Sequence, residues 1–161
     1  MSIESRTEID HQSLLVGVPG DATLASLERA LGAEGLTLGF ETTEDTVGDW
    51  LARGAPGAPS AFEDPADHRI AGFVATLTNG GRIEMRPSPR RAVGPDLGAL
   101  IVGAGGRFAS IDHVWLRVYP TGGHVVRLPT EGLDLDPPVS DGEAALLDAI
   151  ARELEALTPQ S

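Results

Sequence analysis

The chain has 161 residues, a formal net charge of -12, and neither cysteine nor lysine. Without lysine, Schiff-base chemistry and a P-loop are excluded, and without cysteine, disulfides and thiolate chemistry are excluded. The acidic balance argues against a nucleic-acid partner, because binding phosphates requires a positive face.

The composition is typical of one compact α+β domain. Hydrophobic residues make up 41% and charged residues 22%, whereas aromatic residues make up only 4%. The core must therefore consist mainly of Leu, Val, Ile and Ala. No apolar segment approaches the roughly 20 residues that span a bilayer, and the start of the chain does not resemble a signal peptide. We expect a cytoplasmic protein with no membrane partner.

The first forty residues predict a strand, a helix and a second strand. Residues 13–18 form an apolar run that ends at Pro19-Gly20, as a buried strand would. Leu24, Leu27 and Leu31 then follow at helical spacing within 21–32. Asp21 or Thr23 is a suitable N-cap, and Gly32 or Gly35 is a suitable end. Residues 36–40 predict a short strand at a sheet edge.

The middle of the chain predicts a long loop followed by a hairpin. Residues 41–69 are rich in Gly, Pro, Ala and acidic residues, with a short helical turn expected near 49–53. Two strand-like runs at 70–78 and 82–86 flank Asn79-Gly80-Gly81. An Asn-Gly turn between strands favours a type I′ hairpin.

The stretch from Gly94 to Pro120 predicts a short helix, a glycine turn and a long strand. The helix begins at 94–96 and the glycines at 103, 105 and 106 end it. Residues 109–119 alternate as a strand does, with one face formed by His113, Trp115, Arg117 and Tyr119. An open aromatic face favours a homodimer or a larger complex.

The last forty residues predict a hairpin strand at 124–128 after a turn at 121–123, then a proline-containing linker and an amphipathic helix over 141–157. Ser140 and Glu143 have the spacing of a capping box at the start of this helix.

Two kinds of nucleotide site compete for the glycine turn. The run ALIVGAGGRF is similar to a Rossmann fingerprint, but Phe108 occupies the third glycine position and a strand follows instead of a helix. The Rossmann interpretation is therefore disfavoured. A second interpretation explains more of the chain.

Four segments, in order, resemble the second half of the FAD-binding domain of the vanillyl-alcohol-oxidase/p-cresol-methylhydroxylase (PCMH-type) flavoproteins. These segments are VGVPGDATLASLERALGAEGLTLG, TVGDWLARGAPGA, IAGFVATLTNGGRIEM and RAVGPDLGALIVGAGGRFASIDHVWLRVYP. The closest similarity is to the FAD-linked oxidase branch, which includes alkyldihydroxyacetonephosphate synthases and glycolate oxidase subunits.

The resemblance implies an α+β fold with a mainly antiparallel sheet flanked by helices, and FAD as the cofactor. It implies that residues 1–120 form a truncated FAD-binding subdomain without the pyrophosphate-binding half, and that 121–161 add a hairpin strand, a linker and a helix. The residues that it assigns to the FAD are Thr46, Val47, Gly48, Gly103, Gly106 and Ile111.

The sequence departs from the family pattern at ligand positions. Asp49 replaces a glycine, Ala104 and Gly105 replace polar and acidic residues, and Arg107 replaces a small threonine. Two hypotheses follow. Either a flavoprotein partner chain completes the flavin site of an FAD-linked oxidoreductase, or the chain is a degenerate assembly or regulatory module without FAD. Enzyme activity is left open, and no catalytic residue is assigned.

An acidic cluster offers a weaker alternative, a metal site. Glu63, Asp64, Asp67 and His68 lie close together in the sequence, but a solvated loop explains them better.

Overall fold

The computed structural model describes residues 7–55, 69–87, 98–122 and 141–156. Its main element is a five-stranded antiparallel sheet, which confirms the predicted α+β class. In chain order its strands are β1 (Glu8–Asp10), β2 (Leu15–Pro19), β4 (Ile70–Leu77), β5 (Arg82–Met85) and β6 (Ala109–Arg117). Their order across the sheet is β1-β2-β6-β4-β5. The neighbours β2 and β6 are thus far apart in sequence.

One face of this sheet packs against helix α1 (Leu24–Ala33). The helix buries Leu24, Leu27 and Leu31, which is the face that the sequence predicted. Its N-cap is Thr23, whose hydroxyl accepts a hydrogen bond from the Ser26 amide at 3.3 Å. The sheet contributes alternate apolar residues to the same core, namely Val16, Val18, Phe73, Val114 and Leu116.

A two-stranded sheet lies beside the first and contains β3 (Leu36–Thr37) and β7 (Tyr119–Pro120). The long strand predicted over 109–119 therefore stops at Arg117, and Tyr119 pairs with Thr37 instead. The guanidinium carbon of the buried Arg69 lies 4.1 Å from the Tyr119 ring centroid. Tyr119 consequently does not belong to the face formed by Trp115 and Arg117.

The predicted hairpin is confirmed as β4 and β5, but the type I′ turn is wrong. Gly80 has a φ of 82°, whereas Asn79 is absent from the residues with positive φ, and a type I′ turn needs both. Gly80 donates to the Leu77 carbonyl at 2.8 Å, and Leu77 donates to the Gly81 carbonyl at 2.7 Å. Three residues thus separate the paired Leu77 and Gly81, as in a type I turn followed by a left-handed glycine.

The described residues form three further helices: α2 (Val47–Ala52), α3 (Gly98–Ile101) and α4 (Asp141–Ala156). The sequence predicted α4 within one residue but missed β1, because no element was predicted before residue 13. The predicted helix start at 94–96, the strand at 124–128 and Ser140, on which the predicted capping box depends, lie outside the described residues. No helix of the described ranges is long and apolar enough to cross a membrane.

Candidate functional site

Three of the six residues that the resemblance assigned to FAD lie at the amino end of helix α2. Thr46 is its N-cap, and the Thr46 hydroxyl accepts a hydrogen bond from the Asp49 amide at 3.0 Å. The same hydroxyl donates to the Asp49 carboxylate at 2.8 Å. Val47 and Gly48 form the first turn, and Val47 is fully buried. The threonine of the TVGDW segment is therefore a helix cap.

The amino end of α2 docks on the loop that follows β2. Val47 donates its amide hydrogen to the Ala22 carbonyl and Gly48 to the Gly20 carbonyl, each at 2.8 Å. A methyl group at Gly48 would lie 3.1 Å from the Gly20 oxygen and 3.7 Å from Cβ of Ile111. Ile111 thus joins the α2 residues at the same place, although it comes from β6.

Gly20 is the tightest point of this arrangement. Its amide donates to the Asp112 carbonyl at 3.0 Å. A methyl group at Gly20 would lie 2.0 Å from the Ile111 carbonyl oxygen, a distance that no side chain tolerates. Only glycine fits here, and the requirement comes from the β6 backbone. We call Gly20, Gly48 and Ile111 the glycine contact.

The carboxyl end of α2 is held by the loop between α3 and β6. Gly103 donates its amide hydrogen to the Leu51 carbonyl at 3.0 Å, and Gly105 donates to the Ala52 carbonyl at 2.8 Å. Gly103 and Gly54 both have positive φ, at 83° and 88°. A methyl group on Gly103 would lie 3.6 Å from Cα of Gly54, an ordinary van der Waals distance, so the positive φ and not a lack of space favours glycine at 103. Gly105 therefore gives the Ala52 carbonyl a partner, and Gly103 adds a second donor to the Leu51 carbonyl, which also accepts from the Gly54 amide at 2.9 Å.

Gly106 differs from the other assigned glycines. Its φ is 72°, but no atom lies within 4 Å of where a methyl group would point. Next to it, Arg107 donates to the Asp148 carboxylate of α4 at 2.9 Å. The positive φ therefore explains glycine at 106, whereas the short distances from an added methyl group to neighbouring atoms explain glycine at 20 and 48.

Negative charge surrounds the amino end of α2. Asp49 is exposed in its first turn, and Asp45 precedes it. A hydrogen bond from the Thr43 hydroxyl and the adjacent Arg53 guanidinium hold the pKa of Asp45 below its ordinary value. Asp45 is thus ionised at neutral pH and paired with Arg53, so the exposed carboxylate at this helix end that would repel an anion is that of Asp49.

A separate groove of about 690 Å³ lies on the sheet face opposite α1, toward the end of the sheet far from the glycine contact. Trp115 and Arg117 line it together with Leu15, Glu8 and Asp10. The Trp115 ring makes an edge contact with His113 at 4.7 Å between centroids. The aromatic face predicted from β6 thus exists without Tyr119.

The structure brings Thr46, Val47, Gly48 and Ile111 together and places Gly103 at the other end of the same helix. Gly106 lies three residues farther along the loop. Sequence reasoning missed Gly20, Ala22 and Gly54, although the Pro-Gly pair at 19–20 signals a required turn. In the described parts of the chain no cluster of three metal-ligating side chains occurs, and the acidic cluster at 63–68 lies outside them.

No protein-family model matches the chain. Two Escherichia coli proteins, each named uncharacterized FAD-linked oxidoreductase YgcU, from strains K12 and O157:H7, are 29% identical to it over 106 residues. The match covers 64% of this chain and 21% of each relative. The chain therefore spans about a fifth of the length of these relatives, and the sequence similarity is weak.

Solved structures of alkyldihydroxyacetonephosphate synthase in two crystal forms share the fold. Their TM-scores are 0.55 and 0.54 at 19% identity. Each match covers 70% of this chain, and 20% or 21% of the synthase chain. At this identity the similarity shows the architecture, which agrees with the antiparallel sheet and flanking helices described above.

Proposed function

We propose that this chain is the second half of a PCMH-type FAD-binding domain and that it completes a flavin site together with a partner chain. The observation that carries the proposal is the convergence of Thr46, Val47, Gly48 and Ile111 at one end of α2. These residues come from two separate segments, and the resemblance assigns both segments to the flavin. The sequence similarity to FAD-linked oxidoreductases supports the same cofactor class.

Because the main-chain amides of this region already have acceptors, we propose that the partner supplies the pyrophosphate site. The amides of Val47 and Gly48 already donate to carbonyls, and the Asp49 amide donates to the Thr46 hydroxyl. Gly103 and Gly105 likewise donate to α2 carbonyls. A pyrophosphate held by backbone amides needs free donors. Of the assigned residues at this end of α2, Val47 is fully buried, whereas Thr46, Gly48 and Ile111 are partly accessible and would line the flavin. Redox chemistry would come from the bound FAD.

The same observation favours a second candidate function, an assembly module that does not bind FAD. If the hydrogen bonds at the two ends of α2 serve only to hold this helix between two loops, then α2 needs no ligand. Asp49, in place of the family's glycine, adds both a side chain and a negative charge at the expected ligand surface. Two unit charges 4 Å apart repel by about 4 kcal/mol at an effective dielectric of 20.

An FAD titration of the purified chain, with and without co-expressed partner chains, tests the proposal. Flavin absorbance between roughly 350 and 500 nm follows the bound cofactor. We expect no saturable binding by the chain alone, and flavin bands in a complex that co-purifies with it. An FAD-free complex in all such preparations would favour the assembly module.

Variants of Asp49 separate charge from shape. Asp49→Gly restores the family's residue, and Asp49→Asn removes only the charge. In the flavin-containing complex, we expect both variants to bind FAD more tightly, Asp49→Gly by about tenfold or more, which corresponds to about 1.4 kcal/mol. Unchanged FAD affinity in both variants would place the cofactor away from α2 and would contradict the assigned residues.

A further inference from the structure

Strand β5 forms one edge of the five-stranded sheet among the described strands, and β1 forms the other. An edge strand presents main-chain donors and acceptors on its outer side, where another strand can pair with it. In β5, Arg82 and Glu84 are exposed, and Ile83 and Met85 are half-buried against the core.

The hairpin turn determines which residues of β5 direct their main chain outward. Leu77 and Gly81 form a hydrogen-bonded pair, since the Leu77 amide donates to the Gly81 carbonyl. Hydrogen-bonded and non-hydrogen-bonded pairs alternate along an antiparallel ladder. The register pairs Ala75 with Ile83, so that Ile83 bonds to β4. Arg82 and Glu84 therefore point their amide and carbonyl groups toward the open edge.

This alternation limits how β5 can pair with another β5. In an antiparallel pair related by a two-fold axis, outward residues must oppose outward residues. If the two-fold axis passed through Arg82, the arginines of the two copies would lie opposite each other, and an axis through Glu84 would do the same with the two glutamates. An axis through Ile83 places Arg82 of each copy opposite Glu84 of the other, so that two oppositely charged pairs form. Opposite charges directly across a pair stabilise it, whereas like charges destabilise it.

Centres farther along β5 are disfavoured. A centre at Met85 would oppose Glu84 with Arg86 of the second strand, but β5 ends at Met85 and Arg86 lies outside it. The chain at Met85–Pro87 also passes close over the sheet, since a methyl group at Gly72 would lie 2.4 Å from the Met85 oxygen. The register centred on Ile83 is thus the one that charge and geometry both favour.

The edge formed by β1, in contrast, would place like charges opposite each other in a self-paired strand. In β1, self-pairing centred on Ile9 would oppose Glu8 with Asp10 of the second strand, twice. Two like-charged pairs would then face each other across the ladder. Of the two sheet edges, β1 is protected against self-pairing by its charges and β5 is self-complementary.

We propose that β5 is the dimer interface of this protein and pairs antiparallel with β5 of a second copy, with Ile83 on the two-fold axis. Four main-chain hydrogen bonds and two Arg82–Glu84 pairs hold the copies together. Arg86, whose Nε lies 3.1 Å from Glu84 Oε1, adds a second cation beside each carboxylate. Because the interface consists mainly of a short strand, the dimer is weak and depends on concentration. The proposal does not depend on the flavin site.

Sedimentation velocity between roughly 10 and 500 µM, a range suited to a small transient interface, measures this dimer. We expect Arg82→Glu and Glu84→Arg each to weaken dimerisation at least tenfold, because each opposes like charges twice. The double variant exchanges the two charges within the same strand and should recover most of the lost affinity, without the contribution that Arg86 makes beside Glu84. Arg29→Glu on α1 and Glu44→Arg before α2 are matched controls, since both residues are exposed and make the same charge changes.

Three results would overturn the proposal. The first is a monomer at every concentration. The second is a dimer whose dissociation constant is unaffected by either single variant, since another surface would then carry it. The third is a double variant that remains as weak as the single ones. Circular dichroism of each variant verifies that the fold is retained. Arg82→Gln and Glu84→Gln repeat the comparison, with smaller expected losses, for any variant that does not fold.

Discussion

Gly20 is the residue whose replacement the fold tolerates least. We expect Gly20→Ala to destabilise the protein by about 1–3 kcal/mol or more, as overpacking does, because the new methyl group meets the Ile111 carbonyl oxygen at 2.0 Å. Urea unfolding followed by circular dichroism measures the loss.

Gly32→Ala is the matched control for Gly20→Ala. Gly32 lies in α1, and no atom lies within 4 Å of the added methyl group. This variant should gain up to about 1 kcal/mol from helix propensity. Equal stability of the two variants would contradict the close contact between Gly20 and β6.

Asp45 makes stability depend on acid pH. Its pKa in the folded chain is lowered, first by the hydrogen bond from Thr43 and then by Arg53. A lowered folded pKa contributes stability that is present above the unfolded pKa, about 3.9, and is lost as pH falls through the folded value. Unfolding free energies between pH 7 and pH 2 should therefore fall more steeply in the wild type than in Asp45→Asn. Parallel pH profiles would show that Asp45 is not involved.

At the scale of elements, α2 shows most clearly what the sequence could and could not predict. A helical turn was expected at 49–53, and the helix occupies Val47–Ala52. The hairpin, α1 and β6 were predicted well because their signals are local: Asn-Gly, leucine spacing and alternation. Strand β1 was missed because its pairing with β2 gives no local hydrophobic signal.

The glycine turn at 103–106 was predicted to contact a ligand, yet Gly103 and Gly105 bind the carboxyl end of α2. The same glycine pattern serves either purpose, since both require backbone amides to approach an acceptor closely. The identity of that acceptor depends on tertiary structure, which local sequence patterns do not contain. Gly48 and Ile111, which the resemblance assigned to the flavin, lie next to each other, and their contact with FAD stays a prediction.

Two substitutions at Thr46 test the contribution of the N-cap to the stability of α2. Thr46→Ala removes the acceptor of the Asp49 amide and should cost about 1 kcal/mol of folding free energy. Thr46→Ser keeps the hydroxyl and should cost much less. Urea unfolding compares the two, and an equal loss would assign the effect to the lost methyl group instead of the cap.

For the whole molecule, the net charge of -12 opposes the compact state. Salt screens this repulsion, with a Debye length of about 10 Å at 0.1 M. Salt also weakens ion pairs such as Arg107–Asp148, but exposed pairs contribute only about 0–1 kcal/mol. We therefore expect 0.1–0.5 M NaCl to raise the melting temperature at pH 7. A lower melting temperature in salt would mean that ion pairs outweigh the general repulsion.

The attachment of α2 at both ends has a consequence for motion within the native state. A six-residue helix is far shorter than the roughly 12–15 residues that are stable alone. Its ends are bonded to Gly20 and Ala22 on one side and to Gly103 and Gly105 on the other. These amides should therefore become accessible to deuterium in one concerted opening event, and α2 with its two glycine loops would behave as one local unfolding unit.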